Sequence, residues 1–232
     1  MSHNLLSLEL TAKFLHYSEK ELKQLVVAGE IPYFQQGDRY VFEQEKLDNW
    51  LSNNLINNEF QKRKKRAERT NDTPIAISSY LQTSGIAPHL SGHSICAILK
   101  NLTVLADETG LLYDPDEFYN EIRQREQLSS TAMGNGVALV HPCHRNNYLI
   151  QSPFLCLAKA DTPVYFGDSN GAKTSIFFVI ACEESALHLQ ILKSLCQLIE
   201  KTDLLEDLSL AKTRGELLAS IQKAEIQIKN LI

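Results

Sequence analysis

The sequence predicts an α/β (α+β) protein in which a mixed sheet carries helices on both faces, with a small helical domain before it. Apolar residues recur at helical spacing in several segments, while three short segments between them are apolar at almost every position, as buried strands are. The chain has 232 residues, which is long for one ordinary domain and short for two large ones. One large and one small domain are therefore expected.

The composition is that of a folded soluble protein. Hydrophobic residues make up 44% of the chain and charged residues 22%. No stretch approaches the roughly 20 consecutive apolar residues of a membrane span, and the first residues lack the pattern of a signal peptide. The net charge of -5 argues against a surface that coats nucleic acid generally. We expect a cytoplasmic location and no membrane partner.

The cysteines indicate reduced thiols without a disulfide framework. They are odd in number, scattered, and mostly set in apolar segments, as cysteines are when they serve as small hydrophobic residues. The five are Cys96, Cys143, Cys156, Cys182 and Cys196.

Two short helices are predicted near the start of the chain. Ser7 is placed to cap the first. Ser18, with Glu21 three residues later, forms a capping box that opens the second. Gly29 is expected to end the second helix in the left-handed conformation that glycine adopts at little cost.

A two-stranded wing and a closing helix follow. The arms of the wing are residues 31–34 and 40–42, with the turn at Gly37 and Asp38. The closing helix places Leu47, Trp50 and Leu51 against the group. Together with the first two helices, these elements predict a winged helix-turn-helix domain over residues 1–56.

The segments LLSLELTAKFL, SEKELKQL, AGEIPYF, GDRYVF and EKLDNWL resemble the excisionase and MerR-type DNA-binding domains over residues 4–52. This resemblance implies that the second helix enters the major groove of DNA and that the wing reaches the backbone or the minor groove. The candidate nucleic-acid contacts in this domain are Lys20, Lys23, Gln24 and Arg39.

The charge of this domain favours weak DNA binding by the domain alone. Residues 1–56 carry five basic and eight acidic side chains, and neutralisation of phosphates supplies most non-specific affinity. A basic linker over residues 57–72 follows, with Lys62, Arg63, Lys64, Lys65 and Arg66 as further candidates. It is either a solvated helical linker or an arm that contacts phosphates. A domain kept for protein contacts is the alternative to DNA binding.

Residues 73–232 are predicted to form the large domain. Residues 75–81 are expected to form a short apolar element, and TPVYFGD a strand fragment with a turn. The expected strands are 137–140, 154–157 and 175–181, and the expected helices are 94–109, 114–125, 187–199, 204–208 and 215–228.

The segment GNGVALVHPCHR, residues 134–145, places a histidine where a buried strand meets a loop. A neutral imidazole in such a position suits reversible proton transfer or nucleophilic attack on an electrophile such as phosphorus. The spacing alone leaves both chemistries open for His141.

The order REQLSST, GNGVALVHP, TPVYFGD and HLQILKSLCQLI resembles the enzyme IIA domains of the bacterial phosphotransferase system, of the fructose, mannitol and nitrogen-regulatory type, over about residues 74–223. The resemblance implies that His141 accepts a phosphoryl group from HPr or a nitrogen-branch equivalent. It also places Arg125 beside the phosphoryl group and His188 near the active histidine. Supporting donors are expected from the hydroxyls of Ser129, Ser130 and Thr131 and from backbone amides at Gly134 and Gly136.

The implied protein is a regulator that couples phosphorylation to the N-terminal domain and acts on DNA or on a target protein. One departure is Val140, where relatives usually carry proline. A scaffold that is not phosphorylated, and a transport component that passes phosphate to a IIB protein, stay open as alternatives. His141, Cys143 and His144, with His188 as a fourth, are zinc-ligand types, but adjacent side chains seldom converge on one ion. We expect neither a cofactor nor a metal.

Overall fold

The computed structural model describes residues 5–15, 17–37, 39–43, 46–47, 50, 75–144, 149–168 and 171–230. They fall into two compact units, one within residues 1–54 and one within residues 55–232. The predicted domain end at residue 56 and the linker over 57–72, with its basic residues 62–66, lie outside the described residues. The division into domains 1–56 and 73–232 therefore stays a prediction.

The N-terminal unit contains two helices and a three-stranded antiparallel sheet. The strands are β1 (Leu5–Ser7), β2 (Phe34–Gln36) and β3 (Arg39–Glu43), in the order β1-β3-β2. The helices are α1 (Leu8–Leu15) and α2 (Glu19–Val27). The wing thus has one strand more than predicted, because β1 pairs with β3 ahead of the first helix. A strand of three residues is too short to show an alternating pattern in the sequence.

The predicted helix signals act as expected. The Ser18 hydroxyl accepts a hydrogen bond from the Glu21 backbone amide, and the Glu21 carboxylate accepts one from the Ser18 amide, which confirms the capping box. Gly29 follows α2 with a φ of 68°, and Gly37 has a φ of 60° in the turn of the wing. Both angles lie in the left-handed region that glycine tolerates.

The small core of this unit forms between the helices and the wing. Leu22 of α2, Phe42 of β3 and Leu47 are all fully buried. Trp50 donates a hydrogen bond from its indole nitrogen to the backbone carbonyl of Glu30. Residue 51 of the predicted closing helix lies outside the described residues.

The C-terminal unit is built on a five-stranded mixed sheet. Its strands are β4 (Leu81–Leu90), β5 (Ala132–Gly134), β6 (Val137–Val140), β7 (Phe154–Tyr165) and β8 (Lys173–Ala181). Their order is β4-β7-β8-β6-β5. The pairs β4/β7 and β6/β8 are parallel, whereas β7/β8 and β5/β6 are antiparallel.

Helices cover both faces of this sheet. On one face, α3 (Ile95–Asp107) and α4 (Pro115–Leu128) share a buried cluster with every second residue of the central strands, such as Ala158 of β7 and Val179 of β8. Side chains that alternate with these, such as Phe178, are equally buried and point to the other face. That face is covered by α5 (Ser185–Lys201), α6 (Leu204–Leu210) and α7 (Arg214–Lys229).

Most predicted elements of the large domain are confirmed with shifted ends. Strand β6 has the predicted bounds, whereas β7 continues eight residues past the predicted end at residue 157, to Tyr165. Helix α4 begins at Pro115 behind the Asp114 cap and runs to Leu128, three residues past the predicted end. None of the helices in the described part of the chain combines the length and the apolar composition needed to cross a membrane.

Strand β4 is the main element that the sequence does not predict. The segment predicted as a short apolar element holds a 3-10 helix, Ile77–Tyr80, which leads into β4. Gly85 and Pro88 lower the strand propensity of this segment. Proline is tolerated because β4 lies at the edge of the sheet. Gly85 lies so close to β7 that an added Cβ would be 3.2 Å from the Leu155 carbonyl oxygen.

We expect Gly85→Ala to lower the free energy of unfolding by about 1–3 kcal/mol, because the added methyl group would crowd the β4/β7 ladder. Gly215→Ala is the matched control, since its Cβ would meet nothing within 4 Å and alanine favours helix. Urea unfolding followed by circular dichroism measures both changes. Equal stability of the two variants would contradict the close approach at Gly85.

Candidate functional site

The two histidines that the sequence predicts to lie close together are found at the same end of the strands of the large sheet. His141 follows β6 directly, and His188 lies in the first turn of α5, the helix that follows β8. Because β6 and β8 are parallel and paired from Val137 to Val140, their carboxyl ends lie side by side at the same end of the strands. The two imidazole rings are 5.0 Å apart between centroids and tilted by 59°. Both side chains are 1% exposed.

The hydrogen bonds of His141 define its tautomer. Its Nδ1 lies 2.9 Å from the carbonyl oxygen of Leu139, which only accepts, so this nitrogen carries the proton and donates. Its Nε2 lies 3.1 Å from Nε of Arg125, a donor without a lone pair to offer. Nε2 therefore carries the lone pair of a neutral imidazole. Of the two ring nitrogens, this is the one that could act as a nucleophile.

Burial and charge keep His141 neutral. Loss of solvation, and after it the charge of the Arg125 cation, lower the pKa of His141 from 6.5 to about 3, with the bond to Leu139 acting in the opposite direction. At neutral pH the basic nitrogen is unprotonated. A nucleophile needs this state, because a protonated imidazole has no lone pair.

Arg125 is held in place by the end of its own helix. The guanidinium is 1% exposed, and Nη1 donates a hydrogen bond of 2.7 Å to the carbonyl oxygen of Ser129, just past α4. Burial lowers the pKa of Arg125, while the charges of Glu126 and Cys143 act in the opposite direction. The side chain remains a cation, as arginine does in proteins. It is thus a fixed positive charge beside the histidine.

Glu126 is a residue that the sequence did not single out. Both of its carboxylate oxygens accept hydrogen bonds from the Thr131 amide, and one accepts a bond of 2.6 Å from the Thr131 hydroxyl. Burial raises the pKa of Glu126, partly offset by these bonds and by Arg125. The carbonyl oxygen of Thr131 in turn accepts a hydrogen bond from the backbone amide of Leu139, two residues before His141. Glu126 therefore fixes the chain that flanks the histidine.

Ser130 joins this segment to the TPVYFGD motif. Its hydroxyl donates a hydrogen bond of 2.6 Å to the carbonyl oxygen of Phe166. An added Cβ at Gly167 would lie 3.1 Å from the Ser130 side chain, and the φ of Gly167 is 84°. The hydroxyls of Ser130 and Thr131 are thus donors within the protein, and their support of the site is indirect.

The structure does not bring Gly134 and Gly136 to the histidine. Asn135 and Gly136 form the two-residue turn between β5 and β6, with φ of 52° and 78°, as a type I′ hairpin requires. The turn lies at the start of β6, and His141 follows its end. His141 is five residues after Gly136 along this strand, a distance of about 16 Å at about 3.3 Å a residue. The two glycines therefore shape the hairpin, and this position gives no support to the predicted phosphate contact by their amides, which stays a prediction.

The candidate nucleic-acid residues of the N-terminal unit are exposed. Lys20, Lys23 and Gln24 lie on the face of α2 away from Leu22, and Arg39 begins β3 in the wing. The remaining candidates, residues 62–66, lie outside the described residues.

Comparisons with known proteins agree on both parts of the chain. Residues 79–224 match the model of the family described as the phosphoenolpyruvate-dependent sugar phosphotransferase system, EIIA 2, and residues 5–55 match that of a helix-turn-helix domain. A nitrogen regulatory protein of Pseudomonas aeruginosa is 31% identical over 127 residues, covering 54% of this chain and 80% of that protein. A fructose-like EIIA component of Escherichia coli is 24% identical over 135 residues, covering 57% and 89%.

The fold of the C-terminal unit has solved counterparts. The crystal structure of nitrogen regulatory protein IIA-Ntr from Neisseria meningitidis superposes with a TM-score of 0.56 at 23% identity. The superposition covers 62% of this chain and 98% of that one. At this identity, the likeness shows the fold.

The buried neutral state of His141 makes stability depend on pH. Between about pH 6.5 and 3, the unfolded chain binds a proton at this residue that the folded chain does not bind, so stability falls on acidification. From pH 7 to 5 we expect His141 to account for a loss of about 2 kcal/mol, which His141→Gln would remove. Urea unfolding at the two pH values measures this difference. His93→Gln, at an exposed position, is the control, and an equal loss in wild type and His141→Gln would contradict the assignment.

Proposed function

Since the chain belongs to the family of type 2 EIIA components of the phosphoenolpyruvate-dependent sugar phosphotransferase system, we propose that Nε2 of His141 accepts a phosphoryl group in the cytoplasm. The donor is a phosphohistidine on HPr or on its nitrogen-branch equivalent. The observation that carries this proposal is the neutral tautomer of His141, with Nδ1 bound to Leu139 and the Nε2 lone pair beside Arg125.

The transfer exchanges one nitrogen–phosphorus bond for another. The Nε2 lone pair of His141 attacks phosphorus in line with the donor's nitrogen–phosphorus bond, and that bond breaks with its electron pair left on the donor imidazole. The proton on Nδ1 of His141 stays in its hydrogen bond to Leu139, whose carbonyl oxygen stabilises the positive charge that spreads over the ring. The chemistry needs no general base, because His141 is already neutral.

Arg125 has two successive tasks in this transfer. Before it, Nε of Arg125 donates to the Nε2 lone pair and holds the ring in place. For the reaction this bond must open, and the guanidinium is then free to donate to the phosphoryl oxygens, where a planar fork and a positive charge stabilise the transition state. Its anchor on Ser129 keeps the cation nearby. His188, 5.0 Å from His141 between ring centroids, limits the orientations of the ring.

The chain before His141 is restrained although Val140 replaces the proline of relatives. Val140 is buried and pairs with Val179 of β8, so the ladder continues up to the residue before the histidine. A proline would restrict one backbone angle at this point, whereas here the ladder and the ring's own bond to Leu139 direct the imidazole. This arrangement supports a carrier over a scaffold that is not phosphorylated.

We further propose that phosphorylation is coupled to the helix-turn-helix domain. Phosphorylation adds roughly two negative charges at pH 7, and DNA binding depends steeply on charge. Lys20, Lys23 and Gln24, exposed on α2, are positioned as a recognition helix would present them. A target protein bound through the same domain is the alternative output.

Incubation with phosphoenolpyruvate, enzyme I and HPr, or their nitrogen-branch equivalents, is expected to label the protein with acid-labile phosphate. His141→Ala abolishes the label because it removes the acceptor nitrogen. Arg125→Met slows labelling at least about a hundredfold, since a transition-state donor is lost. His93→Ala, an exposed histidine, is the control. Labelling of His141→Ala at the wild-type rate, or no label on wild type, contradicts the proposal, and the second result favours the scaffold.

A gel shift with genomic DNA fragments tests the second proposal. Lys20→Glu with Lys23→Glu is expected to weaken binding at least about tenfold at low salt, because two phosphate contacts become repulsive. Lys100→Glu with Lys212→Glu gives the same charge change at exposed positions of the other unit. Equal losses in the two double variants would show a general charge effect and no specific role for α2. Deleting residues 62–69 measures the basic segment separately.

A further inference from the structure

A second cluster of chemically reactive side chains lies beside the phosphoacceptor site. Glu121 of α4, Cys143 and His144 each offer one metal-ligand atom, and these atoms all lie within 4.8 Å of one another. We propose that this cluster is a zinc-type site, which takes Zn²⁺ or a similar transition-metal ion. The set differs from the one considered from sequence, because Glu121 takes the place of His141 and His188.

The spacing of the donors suits a tetrahedral ion. Nδ1 of His144 lies 3.1 Å from Oε1 and 3.0 Å from Oε2 of Glu121. Two nitrogen or oxygen ligands of one tetrahedral zinc ion are about 3.4 Å apart, so the pair must separate by only a few tenths of an ångström. In the absence of metal, the ring nitrogen and the carboxylate share a hydrogen bond. The ion would replace the proton of that bond.

The backbone around the cluster is already fixed. The amide of His144 donates a hydrogen bond of 2.7 Å to Oε2 of Glu121, and the amide of Cys143 donates one of 3.3 Å to the Glu121 carbonyl oxygen. Oε2 is therefore oriented by the backbone, and Oε1, 3.1 Å from Nδ1 of His144, is the oxygen that would bind the ion. Hydrogen bonds of this kind orient the ligands of known metal sites. The two neighbouring ligands converge because a third residue, on a helix, holds both of them.

The donor types and their burial select zinc. A thiolate, an imidazole and a carboxylate form the mixed set that zinc prefers over the hard cations Mg²⁺ and Ca²⁺. Glu121 and Cys143 are 7% and 8% exposed, whereas the His144 side chain is 35% exposed. His144 thus gives the ion an entry path and leaves a fourth position for water. Among the described residues, no fourth side chain joins the cluster.

The proposed site adjoins His141 without sharing its ligand atoms. Both ring nitrogens of His141 are engaged with Leu139 and Arg125. Cys143 lies near enough to Arg125 for their charges to interact. Binding releases the thiol proton, and the charges of a thiolate and a carboxylate then cancel those of the divalent ion. The site is therefore compatible with a phosphoryl group at His141 and does not depend on it.

Titration of the untagged, chelator-treated full chain with Co²⁺ tests the site. We expect one equivalent to bind with the visible absorption of tetrahedral Co²⁺ and a thiolate charge-transfer band in the near ultraviolet, and Zn²⁺ to displace it. Cys143→Ser removes the charge-transfer band, and His144→Ala and Glu121→Gln each weaken binding at least about tenfold. Cys96→Ser and His89→Ala are the controls, since both residues are exposed and outside the cluster.

Circular dichroism of each variant shows whether it folds. If Glu121→Gln does not fold, Cys143→Ser and His144→Ala test the site without it. Absence of a charge-transfer band in the wild type overturns the proposal. So does a band that survives Cys143→Ser, or one that Cys96→Ser removes. Tight binding of Mg²⁺ with no binding of Co²⁺ also overturns it.

Discussion

The hydrogen bond from Arg125 to Nε2 of His141 is the interaction on which the C-terminal site depends. It brings a cation against an imidazole inside the protein, which is possible only because the ring is neutral and offers a lone pair. The hydrogen bond to the Leu139 carbonyl oxygen holds the proton on Nδ1, and the lone pair is therefore on Nε2. Around this pair, Glu126 offsets the buried charge and ties down the segment that flanks the histidine. The site thus combines a charge balance with a fixed tautomer.

Much of the fold could be predicted because its central strands are buried on both faces and its helices are capped. Strand β6 and helix α3 follow directly from an apolar run and from apolar residues at helical spacing. Strands β4 and β5 could not, because they lie at the sheet edges. An edge strand tolerates polar residues, glycine and proline, so its pattern is weak. The full length of β7 was also not predicted. Its register with β8 shifts between Lys159 and Val164, around Pro163, so the regular strand pattern is interrupted there.

The candidate site divides in the same way. His141, Arg125 and His188 stand in recognisable motifs, and their proximity follows once β6 and β8 are parallel neighbours. Glu121 and Glu126 carry no motif, because their roles come from chain segments that only the fold brings to them. Helical spacing places both on the buried side of α4, together with Arg125. Charged residues buried on one side of an amphipathic helix are the signal that was available, since such residues are seldom buried without a partner.

The position of Trp50 has a practical consequence. It is the single tryptophan of the chain, and its indole nitrogen is bonded to the backbone of the N-terminal unit. Tryptophan fluorescence therefore reports on that unit alone, because the C-terminal unit contains no tryptophan. A change in emission on phosphorylation of His141 would be a direct optical reading of communication between the two units of the chain.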